Sequence, residues 1–187
     1  MKQNLPFALT TLRLFLGPAA LTCALSGVSR WIFLPILVIG TLSDIYDGII
    51  ARRLGVATPA LRRYDSLTDV IYYLFILAAA WRLCRPVLER NWLLLMLILS
   101  SEALVILVCY AKFRTYPATH SIMAKIFGLC LLGGLVALLV FNAGAWAVIT
   151  LTIVALAANL EIIAIHLLAN KPPVDVKSIF ALPPAGN

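Results

Sequence analysis

Apolar residues run along this chain in long blocks, and polar residues fall between the blocks or at a few defined places within them. The first block, Leu5 to Ser26, ends in the turn Ser26-Gly27-Val28-Ser29-Arg30. Arg13 stands in its middle, where a cleavable signal carries no charge, so this block predicts a retained membrane helix. Trp31 to about Arg53 predicts a second span, with Trp31 as an interface anchor. Gly55 and Pro59 mark a short break, and Ala60 to Trp81 predicts a third span. Arg82 to Asn91 reads as a polar loop. Trp92 to Ala111, Ile122 to Phe141 and Trp146 to Leu168 predict spans four to six. Each block is close to the roughly 20 residues that cross the hydrocarbon of a bilayer.

Composition agrees. Of 187 residues, 63% are hydrophobic and 12% charged, against about 45–50% and about 25% in a soluble domain. Six spans leave room for little beyond short connections, which excludes an ordinary soluble domain, a disordered chain and a nucleic-acid-binding arm. The expected fold is all-α and integral to the membrane, a bundle of six transmembrane helices. Residues 1–170 would form that domain. Residues 171–187 would form a poorly ordered cytoplasmic tail, polar and Pro-rich. The four cysteines lack C-x-x-C spacing and read as free thiols.

The net charge of +7 has a use in orientation. With six spans, eleven of the 15 Lys and Arg residues fall on the side of the termini; Arg30, Arg82, Arg85 and Arg90 fall on the other. The positive-inside rule then places both termini in the cytoplasm. The expected location is the cytoplasmic (inner) membrane of the cell, multi-pass, with the chemistry facing inward.

The acids carry the chemistry. Of eight, only Glu89 and Asp175 lie in loops or the tail; Asp44, Asp47, Asp65, Asp69, Glu102 and Glu161 lie in spans. A central membrane Asp costs about 2.5–3.5 kcal/mol on insertion scales, and such residues tend to serve function. Asp44 and Asp47 are three apart, Asp65 and Asp69 four apart, and each pair therefore shares one helix face. The short break between spans two and three makes them an antiparallel hairpin, so the pairs meet. Asp44 lies eight residues before Arg52, about 12 Å in at 1.5 Å per residue. Four carboxylates so close cannot all stay charged alone. Two divalent ions would supply the neutralising charge through oxygen ligands, and a metal pair suits displacement at phosphorus. Acids hydrogen-bonded within the helices, or lining a cation path in a small carrier, remain the alternatives. Gly48 and Ala51 are small enough to admit a flat ligand or to form a helix contact. Arg52 suits a phosphate or serves orientation alone.

These residues resemble the signature of the CDP-alcohol phosphotransferase family, D-x2-D-G-x2-A-R-x8-G-x3-D-x3-D. Here it reads Asp44-x2-Asp47-Gly48-x2-Ala51-Arg52-x8-Leu61-x3-Asp65-x3-Asp69, with seven of eight fixed positions matched. Six spans with cytoplasmic termini also fit that family over nearly the whole chain. The resemblance implies that Asp44, Asp47 and Asp65 hold Mg²⁺ or Mn²⁺. Asp69 would touch a second such ion and act as general base. Gly48, Ala51 and Arg52 would line a CDP pocket. The donor would be CDP-diacylglycerol with its tails in the bilayer; an alcohol would attack the β-phosphorus and CMP would leave. A homodimer is also implied. Leu61 departs from the family's glycine, which lines the nucleotide pocket, so an impaired lipid- or nucleotide-binding relative is a further alternative.

Two stretches bear on the acceptor. Leu9-Thr10-x2-Arg13 resembles the start of bacterial phosphatidylglycerolphosphate synthases and favours glycerol 3-phosphate. Tyr110-Ala111-Lys112-Phe113-Arg114 resembles a stretch of phosphatidylinositol-phosphate synthases and favours an inositol phosphate. Lys112, Arg114 and Lys125 are the candidate acceptor-binding cations. The other expectation for Arg13 is a salt bridge to Glu102 or Glu161. His120 reads as an interfacial loop residue or a ligand, and His166 as an interfacial residue.

Overall fold

The computed structural model describes residues 4–115, 119, 121–173 and 176–181, Pro59 by its backbone alone. Its helices are α1 (Leu5–Ser26), α2 (Phe33–Arg53), α3 (Pro59–Arg90), α4 (Trp92–Phe113), α5 (Ile122–Leu139) and α6 (Ala145–Leu168). Short 3₁₀ turns cover Arg30–Ile32 and Ile179–Ala181. Among the described residues there is no strand, and six helices are long and apolar enough to cross a membrane. Leucines and isoleucines such as Leu93, Leu107, Leu129, Ile153 and Leu160 stand outward on these helices. In water that surface would be a liability, and in a bilayer it faces its own solvent. The protein is a multi-pass membrane protein.

The chain divides into two compact units, Met1–Pro86 with Leu135–Ala143, and Val87–Gly134 with Gly144–Asn187. In the first, α1 packs along α2. The buried face of α1 is Thr10, Arg13, Gly17, Ala20 and Ala24, spaced by three and four as one helical face requires. Its partner face on α2 runs through Phe33, Ile36, Leu37, Gly40, Ser43, Asp47 and Ala51. Small residues dominate where helices meet in lipid, because close backbone approach replaces the hydrophobic driving force. Gly40 shows how tight this is. A Cβ there would lie 2.7 Å from Cζ of Tyr72, and the Tyr72 hydroxyl donates to the Ile36 carbonyl at 3.3 Å. At Gly17 a Cβ would sit 3.1 Å from Cδ2 of Phe75 on α3.

The third helix is longer than its apolar block. The expected loop from Arg82 is instead helix as far as Arg90, interrupted at Cys84, whose backbone is non-helical (φ −126°, ψ 27°). Pro86 explains the kink, since it has no N–H for the Arg82 carbonyl and its ring crowds the preceding turn. Arg30 serves the carbonyls exposed there. Its Nη2 donates to Leu83 O at 2.8 Å, and its Nη1 donates to Asn142 Oδ1 at 3.0 Å and Leu139 O at 3.4 Å. At the other end of α3, Thr58 Oγ1 accepts the Leu61 N–H at 3.2 Å and caps the first turn. Beside Arg30, Trp31 is exposed and meets Phe141 edge to face at 5.4 Å.

In the second unit, α4 packs along α6. Asn159 donates to Ser101 Oγ at 2.9 Å and to Glu102 Oε1 at 3.1 Å, which joins the polar groups of the two spans at this level. The described part of the segment after α6 folds back, with the Ile122 N–H donating to Lys177 O at 2.9 Å. The four cysteines are free thiols.

Gly40→Ala is expected to lower stability by about 1–3 kcal/mol through the forced shift of Tyr72, read as a drop in Tm in detergent. Gly133→Ala, where nothing lies within 4 Å of the added Cβ, is expected to leave Tm unchanged or slightly raised.

Candidate active site

The four aspartates of spans two and three converge. The carboxylate oxygens offered by Asp44, Asp47 and Asp65 all lie within 4.8 Å of one another. Asp69 joins them through a group that comes from α1. The Arg13 guanidinium reaches all four acids: Nη1 donates to Asp44 Oδ1 at 2.9 Å and to Asp69 Oδ1, while Nη2 donates to Asp47 Oδ2 and to Asp65 Oδ1, both at 2.5 Å. Arg13 is therefore not paired with Glu102 or Glu161. Glu102 instead accepts from Asn159, and Glu161 Oε2 has no hydrogen-bond partner. The reason is electrostatic: four negative charges in one place bind the nearest cation more strongly than one glutamate can.

The acids are not equally buried. The Asp47 side chain is 4% exposed, Asp69 31%, Asp65 34% and Asp44 47%. Asp47 forms the floor and is held there by the Thr10 hydroxyl, which donates to its Oδ2 at 2.8 Å and also lies 3.0 Å from Pro6 O. The other three open outward, so a ligand can enter over them. Alongside, Phe7 stacks on Tyr64 at 4.8 Å, and the hydroxyls of Thr11 and Tyr64 are hydrogen-bonded at 2.8 Å. These contacts fix α1 against α3 within two turns of Arg13.

Tyr64, the bond from Thr10 to Asp47 and the central place of Arg13 were not part of the sequence expectation. A signal for Arg13 existed. It lies eight residues into α1, which starts at Leu5, about 12 Å deep by helical rise. Asp44 lies equally deep from Arg52.

The remaining candidates are placed as follows. Ala51 is buried on the face of Asp47, whereas Arg52 is exposed and folds over Gly48, where a Cβ would lie 3.4 Å from its Nη1. Leu61 is half-buried in the first turn of α3. Lys112, Arg114 and Lys125 are exposed and belong to the second unit. Lys112 Nζ donates to Leu167 O at 2.6 Å, and Arg114 ends α4 in the left-handed region (φ 54°), its guanidinium over the Tyr110 ring at 5.8 Å. His166 is not in a loop; it lies in the last turn of α6, 1% exposed, with Nδ1 2.8 Å from Ile162 O. His120 lies outside the described residues.

Oxygen-only ligands, clustered and partly open, fit a hard divalent cation such as Mg²⁺ or Mn²⁺. One guanidinium against four carboxylates also leaves negative charge to be neutralised. A multi-pass membrane protein with such a carboxylate centre on two adjoining helices has the outline of a membrane-embedded phosphate-transfer enzyme. The sequence matches the CDP-alcohol phosphatidyltransferase family over residues 3–164, and the chain belongs to that family. It is thus a transferase of substituted phosphate groups in phospholipid biosynthesis, and the family generally uses divalent metal ions. No curated protein and no solved structure matches the chain.

Thr10→Val keeps the shape of Thr10 but removes the donor to Asp47. It is expected to cost about 1–3 kcal/mol, because a buried carboxylate oxygen loses a partner. Thr11→Val, at a half-buried position where no carboxylate loses a partner, is expected to cost less. Thermal unfolding of the two variants in the same detergent checks the order.

Proposed function

We propose that this protein transfers a phosphatidyl group from CDP-diacylglycerol to glycerol 3-phosphate, at the cytoplasmic side of the inner membrane, releasing CMP. The convergence of Asp44, Asp47, Asp65 and Asp69 is the observation that carries the proposal. Asp44, Asp47 and Asp65 would hold a divalent ion, and Asp69 would touch a second. Bound there, two such ions would neutralise the pyrophosphate and stabilise the departing oxygen.

The chain's own residues supply the rest. Asp69, 31% exposed, takes the proton of the acceptor hydroxyl. The freed oxygen forms its bond to the β-phosphorus as the bond from that phosphorus to the CMP oxygen breaks. Asp47, buried and fixed by Thr10, keeps its carboxylate in place while the more open acids meet the ligand. Gly48 and Ala51 line the approach of the CDP moiety. Arg52, already lying over Gly48, is placed to contact phosphate with its planar fork. Lys112, Arg114 and Lys125 are assigned to the anionic acceptor, with an inositol phosphate as the other candidate. The positive-inside count supports the cytoplasmic assignment, and a homodimer is the expected assembly.

A second possibility follows from Leu61, where the family pattern has glycine: nucleotide binding is weakened. If so, Leu61→Gly lowers the KM for CDP-diacylglycerol, and equal KM in both forms removes this possibility.

The test is CMP release by the purified protein with CDP-diacylglycerol, Mg²⁺ and competing alcohols, with the lipid product identified by mass spectrometry. Asp69→Asn is expected to lower kcat by about 10²–10⁴-fold, the usual contribution of a general base, and chelation of the metal to abolish turnover. Wild-type activity at background with every acceptor, indistinguishable from Asp69→Asn, would overturn the proposal.

A further inference from the structure

The two Nη atoms of Arg13 take one oxygen from each of the four aspartates. Three of those carboxylates, Asp44, Asp47 and Asp65, are the group that would hold a divalent ion. A hard cation such as Mg²⁺ binds carboxylate oxygens at about 2.0–2.1 Å. A guanidinium nitrogen within 2.5–2.9 Å of the Asp44, Asp47 and Asp65 oxygens occupies the space such an ion would take, and carries like charge. A cation seated among these oxygens would meet the guanidinium at contact distance and be repelled by its charge.

The attachment of Arg13 is also incomplete. Its Nε is buried and has no hydrogen-bond partner among the described residues, where the guanidinium is held by its charged contacts. It brings one positive charge where four negative charges gather, and a divalent ion brings twice that. The side chain is 1% exposed, so to leave the oxygens it must turn on its long stem within the helix packing.

We propose that Arg13 is the resident counter-cation of the metal-free site, and that divalent metal binds by displacing its guanidinium from the four aspartates. This rests on the assignment of metal to these acids. Arg13 keeps the carboxylates from repelling one another until metal arrives, and it sets the metal concentration at which the site fills. Removing it should therefore strengthen metal binding while weakening the metal-free fold.

The experiment measures Mn²⁺ binding to the full-length protein in detergent, by the loss of the free-ion paramagnetic resonance signal and by calorimetry, together with Tm with and without metal. Arg13→Gln is expected to bind Mn²⁺ at least about tenfold more tightly than wild type, equivalent to about 1.4 kcal/mol. Its metal-free Tm should fall, and the difference from wild type should narrow at saturating metal. Arg13→Lys, with a point charge in place of the fork, should bind with intermediate affinity. It provides the comparison if Arg13→Gln does not fold without metal. If wild type binds Mn²⁺ and loses it in Asp47→Asn, while the folded Arg13 variants bind no more tightly than wild type, the displacement proposal is overturned and the metal assignment stands. If neither wild type nor the Arg13 variants bind Mn²⁺, the metal assignment falls and takes this proposal with it.

Discussion

One guanidinium among four carboxylates organises the first unit of this protein. Three helices contribute: α1 brings Arg13, α2 brings Asp44 and Asp47, and α3 brings Asp65 and Asp69. None of these charges would be stable in hydrocarbon alone. Each pays part of the desolvation of the others, and the arrangement holds only while all three helices keep their places. The polar centre thus acts as a geometric specification for the surrounding apolar packing. The small residues Gly17, Ala20, Ala24, Gly40 and Ser43 let the helices come close enough for the charges to meet.

The site combines a fixed element with an open one. Asp47 is walled in and oriented by Thr10, whereas Asp44, Asp65 and Asp69 keep about a third to a half of their side chains accessible. Phosphate transfer requires this division. One part must hold position while the reacting groups arrive, and preorganisation of that part spares the reaction the cost of gathering it. The stacked Phe7 and Tyr64 brace the same corner from outside the acid cluster.

Much of the fold was legible because the bilayer imposes a simple rule on chain length and polarity. The predicted first span coincides with α1, and the starts of the fourth and fifth coincide with α4 and α5. The third failed at its end. Arg82, Arg85, Glu89 and Arg90 looked like a loop, yet buried Ala80, Cys84 and Leu88 at four-residue spacing continue a helical face. The acids were legible from their i+3 and i+4 spacing alone. Their partner was not, because Arg13 was weighed against the glutamates of other spans rather than by depth. Thr10 was visible only as part of the Leu9-Thr10-x2-Arg13 stretch, and its bond to Asp47 and the place of Tyr64 were not: a lone hydroxyl carries no signal of its partner until its neighbour in space is known. His166 was misjudged for lying near a helix end, and its burial comes from packing that periodicity does not report.

The close contact of α1 with α2 has a consequence for motion. Small residues lie along the buried face of α1, and packed helix faces can shift by a whole helical turn, about 5.4 Å at a time. A slip of one turn along α1 would bring Leu9 or Gly17 to the level of the aspartates, and neither carries charge. A change in the register of the first helix would therefore remove its contact with the acids outright rather than by degrees, a two-position setting rather than a dial.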